Sequence, residues 1–325
     1  MTKLSISIAM CTYNGAAFVR EQLDSFARQT RLPEELIICD DRSTDTTVDI
    51  VQGFAQSAPF PVRVEVNDEN LGVARNFGKA TQLCTGDLIA LSDQDDIWRE
   101  DKLDVLVRAF EGDPALTLVF TDADLVDQDL RPMGKRLSDT GPVLDAGDRL
   151  SNEDEAFEFL MRRNVATGAT MAFRAGLRGV ILPIPPDLLT YHDAWIVGLA
   201  VATGKVRVLT EPLIQYRQHP GQHTWDFVYV HGAKRTLDRT YYRRHLAQLT
   251  AMRERLLTAA GLDRSESVEL AYVDGYIDHL QHRLSLPTGR LARIKPVLTE
   301  LVSGKYSCYS NGLRSAARDL IAGPE

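Results

Sequence analysis

The sequence predicts an α/β fold: a doubly wound, mostly parallel sheet followed by a helical C-terminal extension. Strand-like and helix-like segments alternate four times over roughly the first 110 residues, the pattern of parallel strands joined by right-handed helical crossovers. The polar clusters CTYN (11–14), CDDRS (39–43) and SDQDD (92–96) all sit at the carboxyl ends of predicted strands, where such sheets gather their ligands. Beyond Gly232 strand signals nearly vanish and helical spacing takes over.

The elements follow in order. KLSISIAM puts Leu4, Ile6, Ile8 and Met10 on one face with the period of a strand. Val19, Leu23 and Phe26 recur at helical spacing, and this helix closes before Pro33. ELIICDD is a short apolar run, as in a strand buried on both faces. RSTDTT offers helix N-caps ahead of Val48, Val51 and Phe54. VRVEVND reads as a third strand, GVARNFGKATQLC as a third helix and DLIALSD as a fourth strand. A helix around Leu103–Phe110 precedes a fifth strand, LTLVFTDADLVD. Regularity then falls: EDEAFEFLMRRN looks helical, ATGATMAFRA strand-like, YHDAWIVGLAVATG helical and VRVLTEPLIQYRQH like strands. A small bundle is expected from the helix within residues 233–257 and those around Val268–Leu284, Leu291–Leu301 and Gly312–Ile321.

Composition narrows the function. With 325 residues, 44% hydrophobic and 25% charged, the chain reads as a soluble globular protein of one large or two ordinary domains. The expected division is 1–231 and 232–325. AWIVGLAVA (194–202) is too short to span a bilayer, and the N-terminus lacks the apolar core of a signal peptide. Cys11, Cys39, Cys84 and Cys308 show no CxxC pairing, as expected of free thiols in a reducing cytosol. Residues 1–231 hold 22 Lys and Arg against 35 Asp and Glu, a balance of −13; residues 232–325 hold 15 against 10, or +5, which together give the net −8. The acidic front argues against nucleic acid. The basic rear fits either a peripheral contact with an anionic membrane or plain solvation.

Why an apolar strand should run into Asp93, Asp95 and Asp96 is a chemical question. Like charges gathered there need either a cation among them or water around them. Asp93 and Asp95, two apart at a strand end, can converge on a hard divalent ion that keeps places for phosphate oxygens; an acidic first turn of the next helix is the alternative, and fits Asp96. TYN (12–14) supplies a hydroxyl, an aromatic face and an amide, and Asp40 and Asp41 add acceptors for the N–H of a nucleobase. A base patch, a metal patch and a sheet linking them make a nucleoside-diphosphate site.

These segments together resemble the family-2 glycosyltransferases of the GT-A (Rossmann-like) fold: SIAMCTYNGAAFVREQLDSFARQT, IICDDRSTDTT, NLGVARNFGKA and GDLIALSDQDDIW. HDAWIVGLA, EPLIQYRQH and YSNGLRSAARDLI are similar to the bacterial polysaccharide branch, rhamnosyltransferases above all. The resemblance implies that residues 1–231 bind the nucleotide sugar and catalyse. It implies that Thr12, Tyr13 and Asp41 hold the base and ribose, and that Asp93 reaches the ribose or the metal. Asp95 and His219 would bind Mg²⁺ or Mn²⁺, and Asp193 would be the catalytic base. Arg217 would pair with phosphate oxygens or stand as a surface cation, and Trp98 would stack on a sugar or belong to the core. His219 could also simply end a strand, and Asp193 could cap a helix.

The implied reaction is an inverting transfer from a nucleotide-diphosphate sugar to a hydroxyl of a saccharide, lipid-linked in surface-polysaccharide (O-antigen or capsule) assembly at the cytoplasmic face. L-rhamnose from dTDP-L-rhamnose is the donor the resemblance favours. One carboxylate base suffices where a metal stabilises the leaving diphosphate. A nucleotidyltransferase is the weaker rival, since CTYNGAAF carries no Lys or Arg before Arg20. A non-catalytic nucleotide-sugar scaffold would have no need of Asp93, Asp95 and Asp193 together.

Overall fold

The computed structural model describes residues 3–140, 153–163, 166–188, 192–222, 239–260 and 267–321. The chain divides into two compact units: Met1–Pro186 with Tyr191–Gly232, and Asp187–Thr190 with Ala233–Glu325. The expected boundary at 231, the segment 233–238 of the first bundle helix, and Asn164, Val165 and Tyr191 from the predicted middle elements lie outside the described residues.

In the first unit the strands are β1 (Ile6–Thr12), β2 (Glu35–Asp40), β3 (Val62–Val66), β4 (Leu88–Ser92), β5 (Ile97–Trp98), β6 (Leu116–Val126), β7 (Pro132–Arg136), β8 (Met171–Arg174) and β9 (Lys205–Arg217). Among the described residues they form one sheet in the order β3-β2-β1-β4-β8-β6-β9-β5, with β7 on β6. β3, β2, β1 and β4 run parallel, as the alternation predicts. β8 then enters antiparallel between β4 and β6, and β9 lies parallel to β6. The sheet is therefore mixed, though mostly parallel. Residues expected to form separate strands after Gly204 make one strand, β9, which shifts register along β6.

The helices are α1 (Val19–Ala27), α2 (Thr47–Ala55), α3 (Val73–Leu83), α4 (Lys102–Gly112), α5 (Glu153–Arg162), the single turn α6 (Arg178–Ile181) and α7 (His192–Thr203). Ile6, Ile8 and Met10 of β1 meet Leu23 and Phe26 of α1 and Leu106 and Phe110 of α4 in one core cluster. Apolar spacing sets these helices, since each buries one stripe against the sheet. By contrast α7 buries Trp195, Ile196, Val197, Leu199 and Ala200 around most of its circumference. Gly72 begins α3 with φ +77°, a left-handed conformation that suits glycine.

Register places the polar ends together. Thr12 is opposite Asp40, and Met10 is opposite Ser92, so the CTYN, CDDRS and SDQDD segments leave the sheet along one edge.

The second unit contains helices Arg239–Thr258, Val268–Leu284, Arg290–Val302, Lys305–Tyr309 and Leu313–Ile321. Its interior is partly ionic. Arg283 donates Nε and Nη2 to the two carboxylate oxygens of Asp319, each at 2.7 Å, and Nη2 also to the Tyr242 hydroxyl at 2.7 Å. Tyr306 donates its hydroxyl to Asp319 at 2.7 Å, and His279 Nδ1 meets Glu300 Oε2. A buried pair of this kind keeps its charges only because every donor and acceptor finds a partner. Among the described residues no helix is long and apolar enough to cross a membrane.

Candidate active site

At the carboxyl end of β1, Thr12 donates its hydroxyl to Asp40 Oδ2 at 2.6 Å. Asp40 also accepts the backbone N–H and hydroxyl of Ser43, at 2.7 and 2.6 Å. Thr12, expected to touch the base and ribose, is instead 2% exposed with its hydroxyl donated to Asp40, and so fastens β1 to β2. Tyr13, 45% exposed beside it, is the open aromatic surface on this edge. Its backbone is gripped by Gln94, whose Oε1 accepts Tyr13 N–H at 2.8 Å and whose Nε2 donates to the Tyr13 carbonyl at 3.0 Å. A Cβ on Gly15 would stand 2.2 Å from Gln94 Oε1, so this clamp requires glycine there.

Asp41 is buried. Its Oδ1 accepts Asn67 Nδ2 at 2.9 Å and Leu71 N–H at 2.6 Å, and its Oδ2 accepts Gly72 N–H at 2.9 Å. Of a carboxylate's roughly four acceptor positions, one on Oδ2 is left over. Asp41 therefore orders the entry to α3 and still presents one lone pair.

The acidic loop after β4 gathers four carboxyl groups. Burial first, then the neighbouring charges of Asp95 and Asp193, pushes the Asp93 carboxyl up to about 7, with Lys102 working in the opposite direction. Asp193, in the first turn of α7, thus shares the electrostatic field of Asp93 although 100 positions separate them. Its Oδ1 accepts Ala194 N–H at 2.7 Å, a contact to the next residue and not the reach of two or three positions that a cap makes. His219 Nε2 lies 2.8 Å from Asp95 Oδ2, and its ring leans on Phe18 with centroids 4.5 Å apart. Asp96 is not a solvated first-turn acid. It is 1% exposed, burial raises its carboxyl well above the usual range, and its Oδ1 accepts Arg217 N–H at 3.0 Å.

Two expected ligand contacts are corrected. The Arg217 side chain is 2% exposed, donating to the carbonyls of Asp95 and Gln128 and to Glu21, with its guanidinium 4.7 Å from the Phe18 ring. Its donors are turned onto the loops that carry the site, not toward a diphosphate. Trp98 is 2% exposed and packs edge-on against Phe26 at 4.6 Å, so it belongs to the core.

Sequence reasoning missed Gln94, Asn67, Glu21 and Lys102. Lys102 is completely buried, donates to the Ala169 carbonyl at 2.7 Å and lies 3.7 Å above the Trp98 ring. Burial lowers its pKa to about 7 against the pull of Asp96 and Asp93. It tethers the TGAT segment to the helix that follows the acidic loop. Only the charge at the start of α4 hints at it, and surface lysines share that feature.

Asp95 and His219 can hold a divalent cation. Donors about 2.1 Å from one ion and at right angles to each other lie about 3 Å apart, close to their separation here. Among the described residues no three His, Cys, Asp or Glu side chains form a ready-made metal cage. A small hard cation shared with substrate phosphates needs no such cage, since one or two protein ligands suffice.

Comparison with known proteins agrees with this architecture. Residues 1–349 of TarS from S. aureus, crystallised with UDP-GlcNAc, share the fold with a TM-score of 0.60 at 15% identity, covering 97% of this chain and 91% of that one. A mannosyltransferase of Pyrobaculum calidifontis, in complex with GDP-Man and Mn²⁺, matches with a TM-score of 0.53 at 18% identity, covering 98% and 79%. A dTDP-rhamnosyl transferase of Shigella flexneri is 39% identical over 98 residues, 29% of this chain and 34% of its own. Curated relatives matched over 66% of the chain are spanned for 65% or 59% of their own length. The model of glycosyl transferase family 2 matches residues 7–182, more than half of the chain, from β1 through the TGAT segment to the end of α6. On that match, laid over a mixed sheet with its acidic loop at the expected edge, the chain belongs to glycosyl transferase family 2.

Proposed function

We propose that this chain is an inverting, metal-dependent glycosyltransferase that moves a sugar from a nucleoside-diphosphate donor to a hydroxyl of a saccharide acceptor. The observation that carries the reading is the acidic loop after β4, where His219 Nε2 lies 2.8 Å from Asp95 Oδ2 and where the charge of Asp193, from the first turn of α7, helps raise the Asp93 carboxyl. Tyr13 offers the stacking face for the base, and the remaining lone pair of Asp41 suits an imide N–H. Thr12 supports this edge from beneath through Asp40. Asp95 and His219 would hold Mg²⁺ or Mn²⁺, and Asp93 would serve the ribose or the metal.

A bound divalent ion supplies the positive charge that stabilises the departing diphosphate. Asp193 accepts the acceptor hydroxyl's proton as that oxygen bonds to the anomeric carbon and the bond from carbon to diphosphate oxygen breaks. Displacement with one base inverts the anomeric centre. Arg217 and Gln94 position the loops on which Asp95 and Tyr13 ride.

L-rhamnose from dTDP-L-rhamnose is the proposed donor, supported by the partial likeness to the Shigella flexneri protein. The proposed acceptor is a lipid-linked saccharide of surface-polysaccharide assembly at the cytoplasmic face of the membrane. Asp193→Asn tests the reading: donor binding, followed by thermal shift across dTDP-, UDP- and GDP-sugars with Mn²⁺, is expected to persist while transfer is lost. Transfer at the wild-type rate would remove Asp193 from the role of base.

A further inference from the structure

We infer that the outer faces of the helices Arg290–Val302 and Leu313–Ile321 form a surface that docks on an anionic lipid bilayer. The inference goes beyond sugar transfer, because this surface lies wholly in the second unit and stands whatever the first unit catalyses.

On the first of these helices Leu291 is 85% exposed, Ile294 44%, Leu298 46% and Val302 87%. Their spacing of three, four and four residues aligns them as one stripe along the helix. The second helix adds Leu313 at 74% and Ile321 at 63%. The opposite faces account for the folding of the unit, through a cluster containing Val297, Tyr306 and Ala316. The exposed apolar stripe is therefore surplus to that core.

Charge selects the partner. Arg290, Lys295, Arg314 and Arg318 are the exposed charged residues of the two helices, all of them basic. Each helix also contains a single acid, and in both cases the acid is turned inward. Glu300, 6% exposed, is taken up by His279 Nδ1, with Lys305 Nζ at 3.6 Å from its other oxygen. Asp319, 2% exposed, is held bidentately by Arg283. A helix built only for solvation gains nothing from hiding its acids and displaying leucines. A stripe of large apolar side chains flanked by Arg and Lys suits an interface whose headgroups are negative and whose interior is acyl chain. At 13 and nine residues the helices are too short to span the bilayer, so they would lie along its surface.

Sedimentation of the full chain with vesicles tests this, comparing phosphatidylcholine alone with mixtures containing phosphatidylglycerol at low and high salt. Binding is expected to the anionic vesicles and to weaken with salt. The Leu291→Glu/Leu298→Glu variant is expected to bind them at least about tenfold more weakly. Arg314→Gln/Arg318→Gln should weaken binding by a similar factor, since each basic residue near such a surface strengthens it roughly fivefold. All four positions are exposed, and melting curves matching the wild type would establish that the fold is retained. Wild-type protein that ignores phosphatidylglycerol, or variants that bind as well as wild type, would overturn the inference. A wild-type dimer in solution that Leu291→Glu/Leu298→Glu converts to monomer would overturn it too, by assigning the stripe to a second copy of the chain.

Discussion

His219 Nε2 stands 2.8 Å from Asp95 Oδ2, joining the end of β9 to the loop after β4 across 124 positions of sequence. If the two share a cation, His219→Ala should raise the Mn²⁺ concentration needed for half-maximal transfer by roughly 10- to 100-fold while the apoprotein's melting temperature changes little. Metal titration of initial rates measures this. An unchanged midpoint would make the pair an ordinary hydrogen bond.

Arg217 leads to the opposite expectation. Removing its buried guanidinium strands the carbonyls of Asp95 and Gln128 and leaves a cavity under Phe18. Arg217→Met should cost about 3 kcal/mol of stability in urea denaturation. Arg217→Lys should recover little, because an ammonium cannot span acceptors set in a planar fork. Retained stability in both variants would mean the loops hold themselves.

Gly15 and Gln94 should behave as one unit. Gly15→Ala drives a methyl into the Gln94 amide, and Gln94→Ala removes both hydrogen bonds to the Tyr13 backbone. Each should weaken binding of the donor nucleotide by about tenfold, and the double variant by little more than either one. Additive losses, read by calorimetry, would separate the two residues.

His192 sets an acid limb on stability. It stacks on Phe77 at 4.2 Å, and neither ring nitrogen has a hydrogen-bond partner among the described residues. Burial pushes its pKa down to about 3 from 6.5. Between those values the unfolded chain binds a proton that the folded chain refuses, so stability falls as pH drops below 6.5 and is unaffected by this group above it. By pH 5 the loss amounts to about 2 kcal/mol. His192→Phe should flatten that limb in melts at pH 5 and 7.5; an equal drop in both proteins would mean the imidazole keeps its proton when folded.

Much of this was legible in the sequence, and the reasons for the rest are physical. Leu4, Ile6, Ile8 and Met10, and the apolar runs that stop at Thr12, Asp40 and Ser92, reveal the parallel half of the sheet because buried strands impose local patterns. The direction of β8 was not legible: antiparallel pairing leaves no mark on a short run such as MAFR. β5 spans two residues, too few for any period. Asp193 and His219 are implied by resemblance alone; His219 lies 2.8 Å from Asp95 in the acidic loop, and Asp193 contributes to the charge felt by Asp93. Trp98 and Arg217 each admit two readings, ligand contact or core and surface, because sequence does not say which way a side chain turns at a strand end. Gln94 and Lys102 were passed over because their partners, Tyr13 and Ala169, lie 81 and 67 positions away. In the second unit, nothing in the sequence pairs Arg283 with Asp319, 36 positions on, until their helices are packed.

The place of β9 bears on how such a chain is made. It lies inside the sheet, between β6 and β5, although among the described residues it comes last of the strands in chain order. On the ribosome, Asp95 must wait for residue 219 to emerge before it meets its imidazole neighbour, and Trp98 waits for Ile214 to complete the ladder. Nascent chains shorter than this would expose the flank of β6, making late elongation the interval of greatest risk from aggregation and chaperone demand greatest there.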